Sequence, residues 1–492
     1  MIDDDICYRA LEHRDPRFDG RFFTAVSTTG IYCRPVCPAP TPKRANCRFY
    51  SSAAAAEQAG FRACRRCRPE AAPGSPAWAG VETTVQRALR LIEEGALDTD
   101  SVDQLAARLG VGDRHLRRLF VDRLGATPSA VARTQRLHLA KRLVETTDLP
   151  MTDVALAAGF QSLRRFNDAF AKCFRQAPTA LRREQPSAGG SVGDAAFVLS
   201  LIWRPPFDWR HLLDFLRQRA LPGIEACGPD FYTRTIHTAE GPGTVHATVD
   251  QSSRRITARL VLPSPRALRP AIRRLRAVFD LDADSAAIDA DLAGDPALEA
   301  HIRKRPGIRV PGAWDPFEYA CRAVIGQQVS VKGARTVALR LARRLGTPLP
   351  CELRPQPAGE EPEALTWLFP RPEDIVDGDL GKLGMPGKRA ESVRAVARAF
   401  CDGPLADPHS LAPNDMRDAI VGLPGLGPWT AESIAMRALG DPDAFPGTDL
   451  GVLKALGLDL KAAGRKALSV RSDAWRPWRA YATVRLWTML ED

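Results

Sequence analysis

Four cysteines near the start of the chain are spaced for metal chemistry. Cys33-Arg34-Pro35-Val36-Cys37 and Cys64-Arg65-Arg66-Cys67 form two close pairs, and zinc takes four soft ligands around one point. Two short pairs separated by a loop supply that tetrahedron without a large core. The pairs sit among cations: Arg34, Lys43, Arg44, Arg62, Arg65, Arg66 and Arg68. A thiolate among positive charges is nucleophilic, and the same charges attract phosphate esters. Arg34, Arg44 and Arg62 are therefore candidate contacts to nucleic acid. On spacing alone, an ion that only staples the fold is the leading reading.

A second kind of chemistry lies near the other end. In Val421-Gly422-Leu423-Pro424-Gly425-Leu426-Gly427-Pro428-Trp429, a tight Gly-x-Gly hairpin between two helices leaves backbone N–H groups free at a helix start. Such a hairpin clamps phosphate without reading sequence. Gly425 and Gly427 would let a nucleic-acid backbone come close. Downstream, Asp449 precedes Leu450-Gly451-Val452-Leu453 and reads on its own as a helix cap.

Composition sets the frame for these motifs. At 492 residues three to four domains are expected. The net charge of +11 and pI ≈ 9.3 favour nucleic acid or an anionic membrane surface as partner. No apolar run approaches the ~20 residues that span a bilayer, and the acidic start Met1-Ile2-Asp3-Asp4-Asp5 is unlike a signal peptide. Eleven cysteines, most of them scattered singly, make no secreted disulfide framework. The expectation is a soluble protein of the reducing cytoplasm, associated with the nucleoid, with no membrane partner.

Two stretches read as linkers, 71–80 and 185–193. Between them Val85, Leu89 and Ile92 recur at helical spacing up to Gly95. Ser101-Val102-Asp103-Gln104 is a capping-box start. A short turn after Gly110 then leads into a second helix with Leu116, Leu119 and Phe120 on one face. This helix-turn-helix leaves Arg114, His115, Arg117 and Arg118 free to reach bases and phosphates. The pattern repeats from Val154 to Phe174, with Phe166, Phe170 and Phe174 inside and Arg164, Arg165 and Asn167 outside. A helix from about Ser129 to Glu145 joins the two. Solvated arginines on a plain helical bundle would look the same. From about residue 195 strands are expected at 196–202, 243–249 and 256–261, with helices at 209–219 and 270–279. Beyond Pro306 the chain turns helical, and Asp315-Pro316-Phe317-Glu318 reads as a cap with a returning glutamate.

Several of these motifs carry family resemblances. Thr28-Thr29-Gly30-Ile31-Tyr32-Cys33-Arg34-Pro35-Val36-Cys37, Phe49-Tyr50 and Gly60-Phe61-Arg62-Ala63-Cys64-Arg65-Arg66-Cys67 resemble the N-terminal domain of the Ada methyl-accepting repair proteins. That resemblance implies one zinc ion held by Cys33, Cys37, Cys64 and Cys67, with Cys33 accepting a methyl group from a methylated DNA phosphate. The doubled helix-turn-helix, with Ala157-Ala158-Gly159-Phe160, resembles the AraC-type DNA-binding domain. Residues 195–492, through Trp203-Arg204-Pro205-Pro206-Phe207-Asp208-Trp209, Gly326-Gln327-Gln328-Val329-Ser330, the Gly425–Gly427 hairpin and Trp475-Arg476-Pro477-Trp478, resemble the AlkA-type helix-hairpin-helix DNA glycosylases.

By position, Asp449 then matches the family's catalytic aspartate, and Phe215, Trp429 and Trp487 match aromatic positions of its base pocket. Ser433 stands where the family often has a tyrosine. Gln328 stands where an apolar wedge fills the space of the flipped nucleotide. Trp429 occupies the place of the Schiff-base lysine of bifunctional relatives, no cysteine follows Cys401, and the Pro-Cys-His-Arg run of alkylguanine methyltransferases is absent.

The expected organisation is multidomain. It comprises a zinc-bound α+β domain (1–75), an all-α AraC-type domain (81–184), an α+β domain (195–305) and an all-α helix-hairpin-helix glycosylase domain (306–492). The expected activities are irreversible methyl transfer to Cys33 with transcriptional regulation, and hydrolytic release of alkylated bases such as 3-methyladenine. A regulator with an inactive glycosylase-like clamp is the alternative. Double-stranded DNA is the expected partner, RNA polymerase a candidate one, and a monomer the expected state.

Overall fold

The computed structural model describes residues 3–64, 66–67, 69, 83–147, 149–183, 196–354, 365–459 and 462–490. The chain divides into two compact units, residues 1–204 with 250–273 and residues 205–249 with 274–492. Both expected linkers lie outside the described residues.

The first unit opens with α1 (Asp4–Glu12), capped by the Asp3 carboxylate. A four-stranded sheet of order β3-β1-β2-β4 follows, made of β1 (Phe23–Val26), β2 (Ile31–Cys33), β3 (Cys47–Tyr50) and β4 (Arg62–Ala63). Only β2 and β4 run parallel, with Ile31 opposite Arg62 and Tyr32 opposite Ala63. Cys33 and Cys64, the next residues on each strand, therefore leave the sheet side by side. Small residues let α2 (Ala53–Gln58) lie close against this sheet, since Ala53, Ala54, Ala55 and Ala56 are all buried.

The helical part of this unit runs α3 (Thr83–Glu94), α4 (Ala96–Thr99), α5 (Val102–Arg108), α6 (Asp113–Leu124), α7 (Pro128–Thr146), α8 (Met151–Ala157), α9 (Leu163–Phe174) and α10 (Pro178–Arg183). The capping box forms as expected: Ser101 Oγ accepts the Gln104 amide and Gln104 Oε1 accepts the Ser101 amide. Val85, Ile92, Leu105, Leu116 and Phe120 are fully buried and make the first core. Phe166 meets Phe170 edge to face at 5.5 Å, and Phe170 meets Phe174 at 4.6 Å, making the second. Helix α7 extends one residue beyond each expected end.

One buried carboxylate ties the sheet to the helices. Glu57 Oε1 accepts the Tyr32 hydroxyl (2.9 Å) and Oε2 accepts Thr134 Oγ1 (2.6 Å). His138 Nε2 lies 3.3 Å from the carboxylate and 3.0 Å from the Tyr32 oxygen. Burial alone would raise the Glu57 pKa, but His138, Thr134 and Tyr32 outweigh it and hold it below the usual value. Because the carboxylate is satisfied from both sides, separating them would strand a buried charge.

Five strands follow: β5 (Ala196–Ile202), β6 (Glu225–Cys227), β7 (Phe231–Thr238), β8 (Gly241–Asp250) and β9 (Arg255–Val261). In the first unit β5 and β9 pair antiparallel from Ala196–Val261 to Ile202–Arg255. In the second unit β6, β7 and β8 form an antiparallel meander. The sequence pattern did not indicate β6 or β7. β6 is three residues long, and β7 is buried on both faces yet carries Arg234 at its centre. That arginine is neutralised by Glu225 (3.3 Å) and Glu318 (2.6 Å).

The remaining helices are α11 (Trp209–Arg219), α12 (Leu268–Val278), α13 (Ser285–Leu292), α14 (Pro296–Lys304), α15 (Pro316–Ile325), α16 (Val331–Leu345), α17 (Pro372–Asp377), α18 (Gly387–Cys401), α19 (Pro413–Val421), α20 (Pro428–Arg437), α21 (Leu450–Ala455), α22 (Ala462–Ser472) and α23 (Arg479–Met489). Asp315 caps α15 by accepting the Glu318 amide. Glu318 itself does not return to the cap. It turns inward to Arg234 and Arg322, where the demand for a counter-charge is greater. Helices α19 and α20 make a helix-hairpin-helix whose turn has Gly425 at φ +76°. A Cβ at Gly425 would come within 2.4 Å of Ser392 Oγ, whereas Gly427 has open space on its side-chain side.

Candidate functional site

In the first unit β2 and β4 deliver two of the cysteines, and the loops that follow return the other two. The sulfurs of Cys33, Cys37, Cys64 and Cys67 lie within 4.8 Å of one another, with Cys37 and Cys64 at 3.9 Å. Sulfurs ~2.3 Å from a tetrahedral zinc stand just under ~4 Å apart, so the four residues fit that ion. Three of the ligands are sealed, at 5, 6 and 6% exposure for Cys37, Cys64 and Cys67, while Cys33 is half-buried. Cys33, with Cys37 and Cys64 beside it, lies in the wall of a cleft of about 800 Å³ that Thr28, Thr29, Thr41, Arg62 and Arg66 also line.

The expected basic contacts divide at this point. Arg62 lies on the cleft. Arg34 turns inward instead: its Nε and Nη2 donate to the two oxygens of buried Asp19, and its Nη1 donates to the Cys67 carbonyl (3.0 Å). Its amide donates to Cys67 Sγ at 3.3 Å. Arg34 is a brace for the cysteine loops and not a surface cation. Arg44 is half-exposed, but its guanidinium lies over Phe49 and 3.3 Å from Asp4, so part of its charge is spent.

On the helix-turn-helix segments Arg114, His115, Arg117 and Arg118 of α6 are exposed, as are Arg164, Arg165 and Asn167 of α9. Arg117 is drawn toward Asp103 (3.6 Å) and Asp113 (3.5 Å), and Arg118 contacts His115 (3.2 Å). These are surface pairs that a phosphate can displace at little cost.

In the second unit a cavity of about 460 Å³ gathers Phe215, Trp429, Ser433, Asp449 and Trp487 from α11, α20, the start of α21 and α23. Asp449 is held at three points. Trp429 Nε1 donates to Oδ2 (2.9 Å), Trp487 Nε1 donates to Oδ1 (2.9 Å), and the Val452 amide donates to Oδ1 (3.0 Å). The helix-cap reading and the cavity reading of Asp449 are thus both met. A Cβ on Gly451 would stand 3.0 Å from Asp449 Oδ1 and 3.2 Å from Trp487 Cδ1, so that glycine leaves room for the arrangement. Trp429 and Trp487 are half-buried and keep surface open to the cavity.

Phe215 differs from the tryptophans. It is 6% exposed, with Arg219 at 3.6 Å and Arg437 at 4.6 Å from its ring centre. With two guanidiniums on its ring it supports the cavity and is not free to stack on a ligand. Ser433 is buried, and its hydroxyl lies 2.7 Å from the Tyr319 hydroxyl. Tyr319 of α15 thus places an aromatic ring beside Ser433, as a cavity residue that the sequence reading did not single out. Gln328 sits exposed at the tip of the loop between α15 and α16, with φ +56°. Gln327 anchors that loop by donating to the Gly425 carbonyl (3.1 Å) and lying 3.2 Å from Thr430 Oγ1. Val329 and Val331, each 43% exposed, flank Gln328 with apolar surface.

Residues 6–70 match the metal-binding domain of Ada, residues 105–184 a helix-turn-helix domain, and residues 198–315 the AlkA N-terminal domain. A probable bifunctional transcriptional activator/DNA repair enzyme AlkA of Mycobacterium tuberculosis is 45% identical over 492 residues, spanning 99% of this chain and 96% of that protein. DNA-3-methyladenine glycosylase 2 of Escherichia coli is 30% identical over 59% of this chain and 96% of its own length. The bifunctional transcriptional activator/DNA repair enzyme Ada of Escherichia coli is 38% identical over 32% of this chain and 43% of its own length.

Proposed function

Since the chain belongs to the family of bifunctional transcriptional activators and DNA repair enzymes that join an Ada-type half to an AlkA-type half, we propose that it both senses and repairs DNA methylation. In the first activity Cys33 Sγ attacks the methyl carbon of a methylphosphotriester. The methyl C–O bond breaks, its electron pair stays on the phosphate oxygen, and a thioether forms that nothing in the site can reverse. Bound zinc keeps the four sulfurs as thiolates at neutral pH. Arg62 and Arg66 draw the anionic phosphates on either side of the neutral triester. Methylation removes one negative charge from the thiolate cluster, which lessens its repulsion of DNA as the two helix-turn-helices engage adjacent major grooves.

In the second activity a damaged base turns out of the stack and enters the tryptophan-lined cavity. A cationic alkylated base such as 3-methyladenine gains from the open faces of Trp429 and Trp487. Asp449 stabilises the oxocarbenium-like sugar as the glycosidic bond breaks and orients the attacking water. With Trp429 in the place of a lyase lysine, the product is an abasic site in an unbroken strand.

One arrangement, present in each unit, carries this reading: the reactive group faces an open cavity and is held from several sides. Cys33, the least buried of the four cysteines, lines its cleft, and Asp449 lines its cavity between two indole N–H groups. Asp449→Asn tests the glycosylase half. Release of 3-methyladenine should stop while affinity for DNA stays within about threefold, because a transition-state charge is lost and not a ground-state contact. Unchanged release would return Asp449 to the role of a helix cap.

A further inference from the structure

The two helix-turn-helix repeats end with the same backbone course, and the residue at its left-handed position differs between them. Leu124-Gly125-Ala126-Thr127-Pro128 closes the first, and Phe174-Arg175-Gln176-Ala177-Pro178 closes the second. In each, the recognition helix stops on a left-handed residue, and the proline begins the next helix. The first repeat places glycine there, at φ +68°, with its side-chain position pressed to 3.1 Å of Ala55 Cβ. The second places Arg175, at φ +56°. Glycine adopts that conformation freely, whereas a branched-off side chain is strained in it. A strained residue where the sister repeat has the unstrained one is a reason to ask what the side chain does.

The surroundings of Arg175 answer that question. Phe174 and Arg175 both line the cleft of Cys33, which is otherwise built from the cysteine domain. Arg175 is exposed and has neither an ion pair nor a hydrogen bond to any described residue. Its position is nevertheless fixed. Phe174 is buried against Phe170, α9 packs on β4, and Cys173 Sγ lies 3.7 Å from Glu57 Oε1. The last turn of α9 is thus fastened to the domain whose cleft it borders, and a free guanidinium is held at the rim. The side chain opposes no acid that would explain it as structural.

We propose that Arg175 is a phosphate-binding residue of the methyl-acceptor site, supplied by the second helix-turn-helix to grip an anionic phosphate beside the methylated one. A methylphosphotriester is itself neutral, so its strand must be held through its neighbours. Arg62 and Arg66 hold it from the cysteine domain, and Arg175 holds it from the end of α9. The acceptor cleft is therefore complete only while α9 is docked on the cysteine domain. The proposal rests on the reading of Cys33 as the methyl acceptor.

The test is single-turnover methyl transfer from duplex DNA carrying one methylphosphotriester to the full-length zinc-bound protein, followed by the mass of the Cys33 peptide. Four proteins are compared: wild type, Arg175→Lys, Arg175→Gln and Arg175→Gly. The Gln variant should lose about tenfold in rate at low DNA concentration, keep its rate at saturation within about twofold, and show a salt slope shallower by about one. The Lys variant should recover to within about threefold of wild type. The Gly variant should melt higher than wild type, yet transfer methyl as poorly as the Gln variant, because relief of strain and loss of grip are separate effects. A Gln variant equal to wild type in low-DNA rate and salt slope would overturn the proposal alone, as would a Lys variant as slow as Gln. A wild type that leaves Cys33 unmethylated would overturn the acceptor reading and this inference with it.

Discussion

Replacing Trp429 and Trp487 by phenylalanine, singly and together, separates their two duties. Each indole N–H donates to a different oxygen of Asp449 at 2.9 Å, and each ring also lines the cavity. Phenylalanine keeps an aromatic face and removes the donor. A hydrogen bond to a charged group is worth ~1.5–3 kcal/mol, and ~1.4 kcal/mol is a factor of ten in rate. Each single variant should therefore release 3-methyladenine about 10- to 100-fold more slowly. The double variant should fall short of the product of the two, because both donors act on one carboxylate and the Val452 amide still holds Oδ1 at 3.0 Å. The assay is single-turnover base release with enzyme in excess, beside a separate measurement of DNA affinity, which should change by less than about threefold. A double variant within about threefold of the wild-type rate would refute the reasoning, since the helix cap alone would then suffice to place the carboxylate. A faster variant would refute it differently, by showing that the indoles quench the charge more than they position it.

Two further outcomes are expected. Burial pushes the pKa of His211, on α11, down from 6.5 to about 4, so the folded state binds fewer protons than the unfolded chain. The second unit should hold its full stability above about pH 6.5 and lose on the order of 3 kcal/mol as the pH falls toward 4. His211→Gln should flatten that part of the profile, and parallel wild-type and variant melting curves from pH 7 to 5 would exclude the histidine as its source. Methylation of Cys33 should tighten promoter binding at matched salt, as measured by titration of labelled duplex before and after reaction, and equal affinities would remove the charge switch.

Features set by local rules were legible in the sequence. The paired cysteines, the capping box at Ser101, the doubled helix-turn-helix and the Gly425 hairpin each depend on neighbours a few residues away, and each stands where expected. What escaped depends on partners far along the chain. Arg34 looked like its basic neighbours because nothing in Cys-Arg-Pro shows that Asp19 waits to neutralise it. Tyr319 gave no signal because its partner Ser433 lies on a helix more than a hundred residues later. Strand β7 was hidden by Arg234, a charge that makes sense in a core only once Glu225 and Glu318 are brought to it. Phe215 lines the cavity, but the arginines that cover its ring come from α11 itself and from α20, which its sequence neighbourhood does not show.

The most direct measurement of the whole is one incubation of the zinc-loaded protein with methylated duplex DNA, read in two ways: free bases by chromatography, and the masses of the cysteine peptides. The expected result is released 3-methyladenine in many turnovers, together with one added methyl per molecule, on Cys33 and on none of Cys37, Cys64 or Cys67. The DNA strand should stay intact. Base release without a methyl on Cys33 would contradict the sensing half, a methyl on Cys33 without base release would contradict the repair half, and a methyl on a buried cysteine would contradict the choice of Cys33 as acceptor.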